Sequence, residues 1–186
     1  MKRRQAIAAF GAILVSAVSY AGLTVASQEI GTAAKLLQAS SPLGDLVLGK
    51  PDAPVVMIEY ASATCPHCAE FHEKLLPAIK SEYIDTGKVR FIFREFPLDQ
   101  LAVGAFMLAR CLPQDKYFEV LDVMFKEQQT WAKSSNPADD LFKITQKFGM
   151  DQAEFEACVK REDLAKAIIE SSKKAASDFG IKGTPA

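Results

Sequence analysis

The hydrophobic pattern between residues 55 and 96 predicts a strand, a helix and a second strand. Residues 55–60 form a short apolar run of β-prone side chains, which is typical of a buried strand. The apolar positions that follow are spaced by three and four residues, as on a helix with one buried stripe, and they are Cys68, Phe71, Leu75 and Ile79. Residues 89–96 then alternate between apolar and polar side chains, which indicates another strand. This order predicts a βαβ unit, over 53–97, with a right-handed crossover.

The segments on either side of this unit have different patterns. Residues 28–52 are mixed in polarity and interrupted by Pro and Gly, so we predict a linker with one short strand at 46–48. Residues 98–179 have only helical periodicity, and we predict an inserted helical subdomain of about four helices there. Residues 180–186 then return the chain to the βαβ part.

Several helix boundaries in the inserted subdomain can be assigned from local residues. Pro137 suits the first position of a helix, and Gly149 suits the position after its end. Asp151 and Glu154 have the spacing of a capping box, which starts the next helix. A final helix is expected over 162–179, before a glycine.

The first 27 residues have the pattern of an export signal. Lys2, Arg3 and Arg4 precede 22 uncharged residues, 6–27, in which small residues offer cleavage sites. Because about 20 apolar residues are enough to cross a bilayer, an uncleaved membrane anchor is the alternative. The small, weakly hydrophobic side chains favour cleavage. We therefore predict a periplasmic protein, in an oxidising compartment that permits lasting disulfides.

Charge and composition narrow the function classes. The chain contains 22 Lys and Arg against 23 Asp and Glu, a formal net charge of −1, whereas a dedicated nucleic-acid binder needs a cationic surface. With 49% hydrophobic and 24% charged residues, the composition is that of a globular protein. Four Cys are too few for a fold built on disulfides, so these residues need a separate explanation.

The residues with the most specific chemistry are Cys65 and Cys68, at the start of the predicted helix. Two Cys at this spacing can form a disulfide, and the N–H groups of a helix start stabilise a thiolate, which lowers the pKa of Cys65. His67, between them, adds a positive charge that acts in the same direction. Pro66 stiffens the turn, and we assign it to the substrate-binding surface. We expect an exposed, attacked Cys65 and a deeper, resolving Cys68.

Other uses of a CxxC motif fit this sequence less well. A zinc site needs four ligands, and His72 is the one nearby candidate for a third; we interpret it as a solvated helix residue. Attachment of haem needs His directly after the second Cys, where this chain has Ala69. A passive disulfide closing so small a loop adds little stability. We therefore predict redox chemistry, with no cofactor and no bound metal ion.

Several ordered motifs resemble the DsbA family, which consists of exported disulfide-bond oxidoreductases with a thioredoxin fold. They are Glu59 six residues before Cys65 in MIEYASA, the CPHC tetrad, FREFPL after the second strand, the helical insertion, and GTP near residue 185. The resemblance covers residues 54–186. It implies an α/β, thioredoxin-like fold with an inserted helical subdomain. Family members continue past this point into further strands and a helix, so we expect a chain truncated after the cis-proline loop.

The resemblance also implies roles for individual residues. Cys65 is the expected nucleophile and Cys68 the resolving thiol. Pro185 is the expected cis-proline, and its backbone and that of Thr184 would pair with substrate as an added strand. Glu59 matches a buried acid that exchanges protons with the resolving thiol; without the resemblance, it is a satisfied charge at a strand end.

Cys111 and Cys158 lie in the helical part and are 47 positions apart. In an oxidising compartment they are expected to pair as a structural disulfide, and some relatives in the DsbA family carry a second bridge, which supports pairing. The alternative is two buried free thiols that behave as small hydrophobic side chains.

The function predicted from these features is the introduction of disulfide bonds into client proteins by an exported, monomeric oxidoreductase. The resemblance implies a membrane redox partner of the DsbB type, which would reoxidise the dithiol. The main alternative is a disulfide isomerase or reductase of the same superfamily. A metal-binding or peptide-binding module is a further alternative, from a different function class.

Overall fold

The computed structural model describes residues 34–38 and 41–186. The chain divides into two units, Met1–Ala39 and Ser40–Ala186. In the first unit, residues 34–38 are helical; the strands and the other helices belong to the second unit. The predicted export signal at 1–27 lies outside the described residues. Among the helices of the described part of the chain, none is both long enough and apolar enough to cross a membrane.

The second unit contains a three-stranded sheet. Its strands are β1 (Leu46–Leu48), β2 (Val55–Ala61) and β3 (Val89–Glu95), and β3 lies between the other two. β2 runs parallel to β3, with Glu59 opposite Phe93, and β1 runs antiparallel to β3. The predicted strand at 46–48 is thus confirmed, and it adds a third strand to the βαβ unit.

The open edge of β2 is paired with the last residue of the sequence. The amide of Tyr60 donates to the carbonyl of Ala186 (2.9 Å), and the amide of Ala186 donates to the carbonyl of Tyr60 (3.1 Å). This reciprocal pair is the pattern of an antiparallel ladder. The segment after Pro185 is thereby held against the strand that leads to the two Cys.

The helix after β2 alternates between α-helical and π-helical turns. It consists of α1 (Pro66–Glu70), a π-helical turn (Phe71–Leu75), α2 (Leu76–Ile79) and a second π-helical turn (Lys80–Ile84). The backbone N–H of Leu76 donates to the carbonyl of Phe71, five residues earlier. Each π-helical turn holds one more residue than the α-helical pattern allows, which rotates the positions that follow.

This rotation changes which side chains are buried. The predicted stripe is wrong at Leu75, which is 56% exposed, whereas His72 and Leu76 are buried. The interpretation of His72 as a solvated residue is therefore also wrong. Pro77 has no N–H to donate to the preceding turn, which is consistent with an irregular helix at this point.

The segment 98–179 is mainly helical, as predicted, but it contains more helices than expected. They are α3 (Gln100–Cys111), a 3₁₀ turn (Gln114–Lys116), α4 (Tyr117–Lys126), α5 (Gln128–Trp131), α6 (Pro137–Gln146), α7 (Gln152–Val159) and α8 (Glu162–Phe179). The capping box at Asp151 and Glu154 is present, and Pro137 occupies the first turn of α6. Gly180 ends α8 with φ of 68°, a conformation that favours glycine.

The helices and the sheet share one hydrophobic core. Phe93 of β3 lies against the rings of Phe106 on α3 and of Tyr117 on α4, with centroids 6.0 and 6.1 Å apart. A disulfide joins Cys111 at the end of α3 to Cys158 in α7, with Cα atoms 6.1 Å apart. The two leftover Cys are therefore paired, and the helical part is packed on the sheet rather than separate from it.

Candidate active site

The two remaining Cys lie on the first turn of α1. Cys65 precedes the helix with extended backbone (φ −79°, ψ 119°), and Pro66 occupies the first helical position. The carbonyl of Cys65 accepts hydrogen bonds from the backbone N–H of Cys68 (3.1 Å) and of Ala69 (3.2 Å). The local sequence thus dictates this arrangement. The first position of a helix has no intrahelical partner for its N–H, so Pro66 can start the helix without losing a hydrogen bond. The spacing of the two Cys then places both thiols on one turn.

The loop before Cys65 is held by side chains from the helical part. Gln128, which is buried, donates from its amide nitrogen to the carbonyls of Ala63 (2.8 Å) and Cys65 (2.9 Å). Thr64 donates to the carboxylate of Asp99 (2.7 Å), and the same carboxylate caps α3. The turn that carries the dithiol is therefore fixed from two sides.

The loop at residues 184–186 covers the sulfur of Cys65. The Thr184–Pro185 peptide bond is cis, as the family resemblance implies. The thiol of Cys65 donates to the carbonyl of Thr184 (3.2 Å). Cys65 is consequently only 5% exposed, so the prediction of an exposed Cys65 is wrong. Pro66 and Pro185 are exposed, next to the covered sulfur.

The surroundings of the two sulfur atoms favour different protonation states. Burial alone would raise the pKa of Cys65, but the Thr184 hydroxyl and the backbone N–H groups of Cys68 and His67 stabilise its thiolate and lower that pKa below its usual value. Burial raises the pKa of Cys68 to about 12, against the hydrogen bonds of Ser62 and Thr184. Cys65 is thus the more readily ionised thiol of the pair.

The side chain of His67 does not face the dithiol. Its side chain is 81% exposed, and its Nδ1 lies 3.9 Å from the carboxylate of Glu70. The geometry therefore does not support the prediction that a positive charge on the His67 side chain stabilises the Cys65 thiolate. What His67 contributes to Cys65 is its backbone N–H.

Glu59 is buried, as the resemblance implies, and the structure reveals its partner. The Oε2 atom of Glu59 lies 2.9 Å from Nε2 of His72, whose side chain is 1% exposed. The imidazole packs against Phe125, with ring centroids 4.3 Å apart. Its other nitrogen, Nδ1, lies 3.6 Å from Oδ1 of Asp122 on α4. The sequence offered His72 only as a nearby candidate for a metal ligand and gave no signal for its contact with Glu59.

Other residues that hold the site had no recognisable sequence signal. Gln128 lies 63 positions after Cys65, and Asp99 lies 35 positions after Thr64. No local motif relates residues at such separations. Throughout 34–38 and 41–186, no group of three or more His, Cys, Asp or Glu side chains is placed to hold a metal ion.

Comparisons with known proteins agree with this geometry. A family model described as Thioredoxin matches residues 41–186. A putative protein-disulfide oxidoreductase of Rickettsia bellii is 33% identical over 142 residues, which are 76% of this chain and 55% of the relative. A similar relative from Rickettsia typhi is 32% identical and is covered to 53%. The chain thus spans about half the length of these curated relatives.

The matches to solved structures cover a larger share of the other chain than the matches to the curated relatives do. The crystal structure of alpha-DsbA1 from Wolbachia pipientis has a TM-score of 0.71 and 38% sequence identity, and the match covers 76% of this chain and 72% of that one. BdbD from Bacillus subtilis has a TM-score of 0.67 at 22% identity, over 76% and 78% of the two chains, and shares the fold. The dithiol at the helix start, the cis-proline loop above it and these matches lead to one assignment: the chain belongs to the DsbA-like branch of the thioredoxin family.

Proposed function

We propose that the protein is exported and introduces disulfide bonds into client proteins through Cys65 and Cys68. The observation that carries this proposal is the asymmetry of the two thiols, with a stabilised thiolate at Cys65 and a buried, protonated Cys68. Stabilising the Cys65 thiolate favours the reduced dithiol, which makes the disulfide form a stronger oxidant. A strong oxidant transfers its disulfide to clients rather than reducing theirs.

The reaction would proceed by two thiolate attacks. A client thiolate attacks the Cys65 sulfur of the oxidised protein, which breaks the Cys65–Cys68 bond, and Cys68 leaves and takes up a proton. A second client thiolate then attacks the client sulfur of the mixed disulfide, and Cys65 leaves as its stabilised thiolate. Two electrons pass from the client dithiol to the protein, and the client gains one disulfide.

The cis-proline loop is the proposed docking site for clients. The carbonyl of Thr184 lies beside the Cys65 sulfur, and Pro66 and Pro185 are exposed next to it. An extended client segment that pairs with this backbone would bring its own sulfur to Cys65. The alternate side chains of such a segment would meet the exposed prolines.

The proposal also includes a compartment, a redox partner and an oligomeric state for the protein. The basic and apolar pattern at 1–27 supports export, by a cleaved signal or as a membrane anchor. Each cycle leaves the dithiol reduced, so its electrons need an acceptor, and we propose a membrane redox partner of the DsbB type. We propose that the protein acts as a monomer, since one chain carries both thiols and the docking loop.

The proposal can be tested by thiol titration and by redox equilibration. In the reduced protein, we expect iodoacetamide to alkylate Cys65 with an apparent pKa below about 8.5, the value of free Cys, and to leave Cys68 unmodified until alkaline pH. Alkylation of Cys65 should continue to lower pH than that of free Cys, because a lowered pKa keeps the reactive thiolate populated there. Cys68→Ser isolates the titration of Cys65, and Cys65→Ser removes it.

Equilibration with glutathione distinguishes the oxidase from a reductase. We expect a reduction potential well above the value of about −270 mV that is typical of thioredoxin. A potential near that value would contradict the oxidase proposal and favour the isomerase or reductase. A wild-type protein that fails to oxidise a dithiol peptide would rule out the exchange chemistry itself.

A further inference from the structure

The side chain of Ser62 is completely buried, and its hydroxyl group makes three hydrogen bonds. The Oγ atom accepts from the backbone N–H of Leu98 (3.2 Å) and of Thr64 (3.4 Å), and it lies 3.1 Å from the Thr64 hydroxyl oxygen. A hydroxyl group has one proton to donate and two lone pairs that accept, so these contacts use its full capacity. A buried polar group with every site occupied is held in one orientation.

The direction of the hydrogen bonds between this loop and helix α3 follows from the donors that are present. The Thr64 hydroxyl donates to Oδ2 of Asp99 (2.7 Å). Thr64 has no second hydroxyl proton, so Ser62 is the donor in the Ser62–Thr64 pair. Ser62, Thr64 and Asp99 therefore form a directed series of hydrogen bonds, which we call the hydroxyl chain. It runs from the loop before Cys65 to the start of α3.

Ser62 is also bonded to both Cys through its backbone. Its carbonyl accepts from the N–H of Cys65 (3.1 Å), which closes a turn directly before the dithiol helix. Burial raises the pKa of Cys68 to about 12, and a backbone hydrogen bond from Ser62 opposes this rise by stabilising the thiolate. The orientation of Ser62 thus affects the position of the nucleophile and the stability of the leaving thiolate.

Capping of α3 does not by itself account for the carboxylate of Asp99. Its Oδ1 atom accepts from the N–H of Ala102 (2.8 Å), and this one oxygen is enough to cap the helix. Asn would cap as well as Asp does. The second oxygen, Oδ2, binds Thr64 instead, so the carboxylate joins a helix of twelve residues to the residue that precedes Cys65.

We propose that Asp99 is a positioning residue for thiol–disulfide exchange, and that it acts on the dithiol turn through the hydroxyl chain. This inference rests on the proposed function. Exchange requires the client sulfur to approach the two protein sulfurs in a defined geometry, and a small misplacement of reacting atoms slows such a step strongly. The hydroxyl chain limits this misplacement, because it ties the loop backbone around both Cys to α3.

Thr64→Val breaks the hydroxyl chain in its middle, since Val has a similar branched shape but no hydroxyl group. We expect a dithiol peptide to open the oxidised variant roughly 3- to 10-fold more slowly. The loss should be in kcat, with KM for the peptide unchanged, because the hydroxyl chain is separate from the cis-proline loop. Thr64→Ser keeps a hydroxyl and should restore most of the rate.

Thr86→Val is the matched control for this variant. Thr86 is exposed, and its hydroxyl donates to the carbonyls of Glu82 and Tyr83 at the far end of the dithiol helix. We expect its opening rate to equal that of the wild type. A Thr64→Val variant that opens as fast as Thr86→Val would overturn the inference.

Asp99→Asn separates positioning from helix capping. The Asn carbonyl can still accept from Ala102, but its NH2 group, in the place of Oδ2, cannot accept the Thr64 proton. We therefore expect the midpoint of urea unfolding to stay close to that of the wild type, while opening slows as in Thr64→Val. The double variant should be no slower than Thr64→Val alone, because both changes break the same chain.

The double variant also tests how Asp99 acts. Two slowing factors that multiply in the double variant would show that Asp99 acts independently of Thr64, which would contradict the hydroxyl chain. A wild-type protein that does not oxidise the dithiol peptide would contradict the proposed function instead. An active wild type with unchanged rates in Thr64→Val and Asp99→Asn would leave the proposed function intact and overturn the positioning role of Asp99.

Discussion

At the residue scale, Thr184 is the side chain that meets both sulfur atoms. Its hydroxyl oxygen is buried and lacks a hydrogen-bond partner while Cys65 is a thiol that donates to the Thr184 carbonyl. Once Cys65 ionises, the hydroxyl can donate to the thiolate. Because a hydrogen bond to a charged group is stronger than one to a neutral group, this donor stabilises the thiolate selectively.

Replacing Thr184 with Val should therefore raise the pKa of Cys65. Losing one charge-assisted hydrogen bond costs about 1.5–3 kcal/mol, which corresponds to an increase of roughly one to two pKa units. The pH dependence of alkylation measures the change. Thr145→Val is the control, since Thr145 is buried and its hydroxyl donates to the carbonyl of Phe142 within α6. An unchanged Cys65 pKa in Thr184→Val would show that backbone N–H groups alone stabilise the thiolate.

At the scale of elements, the short helix α5 is what holds the dithiol loop in place. Trp131 anchors α5 by donating from its indole to the carbonyl of Met124 (2.7 Å). Gln128, at the start of α5, then reaches the loop before α1. The inserted helices therefore do more than cover the sheet, because one of them supports the active-site turn directly.

Gln128→Met tests this support with little change in side-chain volume. It removes two hydrogen bonds from a buried loop, and we expect the free energy of unfolding to fall by about 1–3 kcal/mol in urea denaturation. The pKa of Cys65 should also rise, because the loop no longer holds the helix-start N–H groups against the sulfur. Gln146→Met is the matched control, since Gln146 is exposed at the end of α6. Equal stabilities of the two variants would disprove the supporting role.

At the scale of the whole molecule, helix α3 links the dithiol to the structural disulfide. Asp99 caps its start and binds Thr64 beside the active site, while Cys111 at its end is bonded to Cys158. Twelve residues of α-helix separate these ends by about 18 Å. The disulfide is thus placed to stabilise the fold without touching the reacting sulfurs.

We expect the double variant Cys111→Ala, Cys158→Ala to unfold at a lower urea concentration. The disulfide closes a segment of 47 positions, and losing such a constraint costs about 4 kcal/mol in the chain-entropy description. The pKa of Cys65 in the folded variant should stay unchanged, which serves as the internal control. A midpoint equal to that of the wild type would indicate that the two Cys remain free thiols in solution.

The order of strands and helices was predictable because each element depends on residues within a few positions. The capping box at Asp151 and the end of α8 before Gly180 are of this kind. The prediction failed where a helix departed from regular geometry. The π-helical turn at Phe71–Leu75 rotated His72 inwards and Leu75 outwards, and residue spacing alone assumes a regular helix.

By itself, the sequence determined that two thiols share the first turn of a helix, since Pro66 and the spacing of the Cys act within four residues. Only the tertiary structure decided that Thr184, 119 positions away, covers the Cys65 sulfur, and that Gln128 supports its loop. It also brought Glu59, His72 and Asp122 together. Contacts between distant positions depend on how whole elements pack, and many packings are compatible with one local pattern.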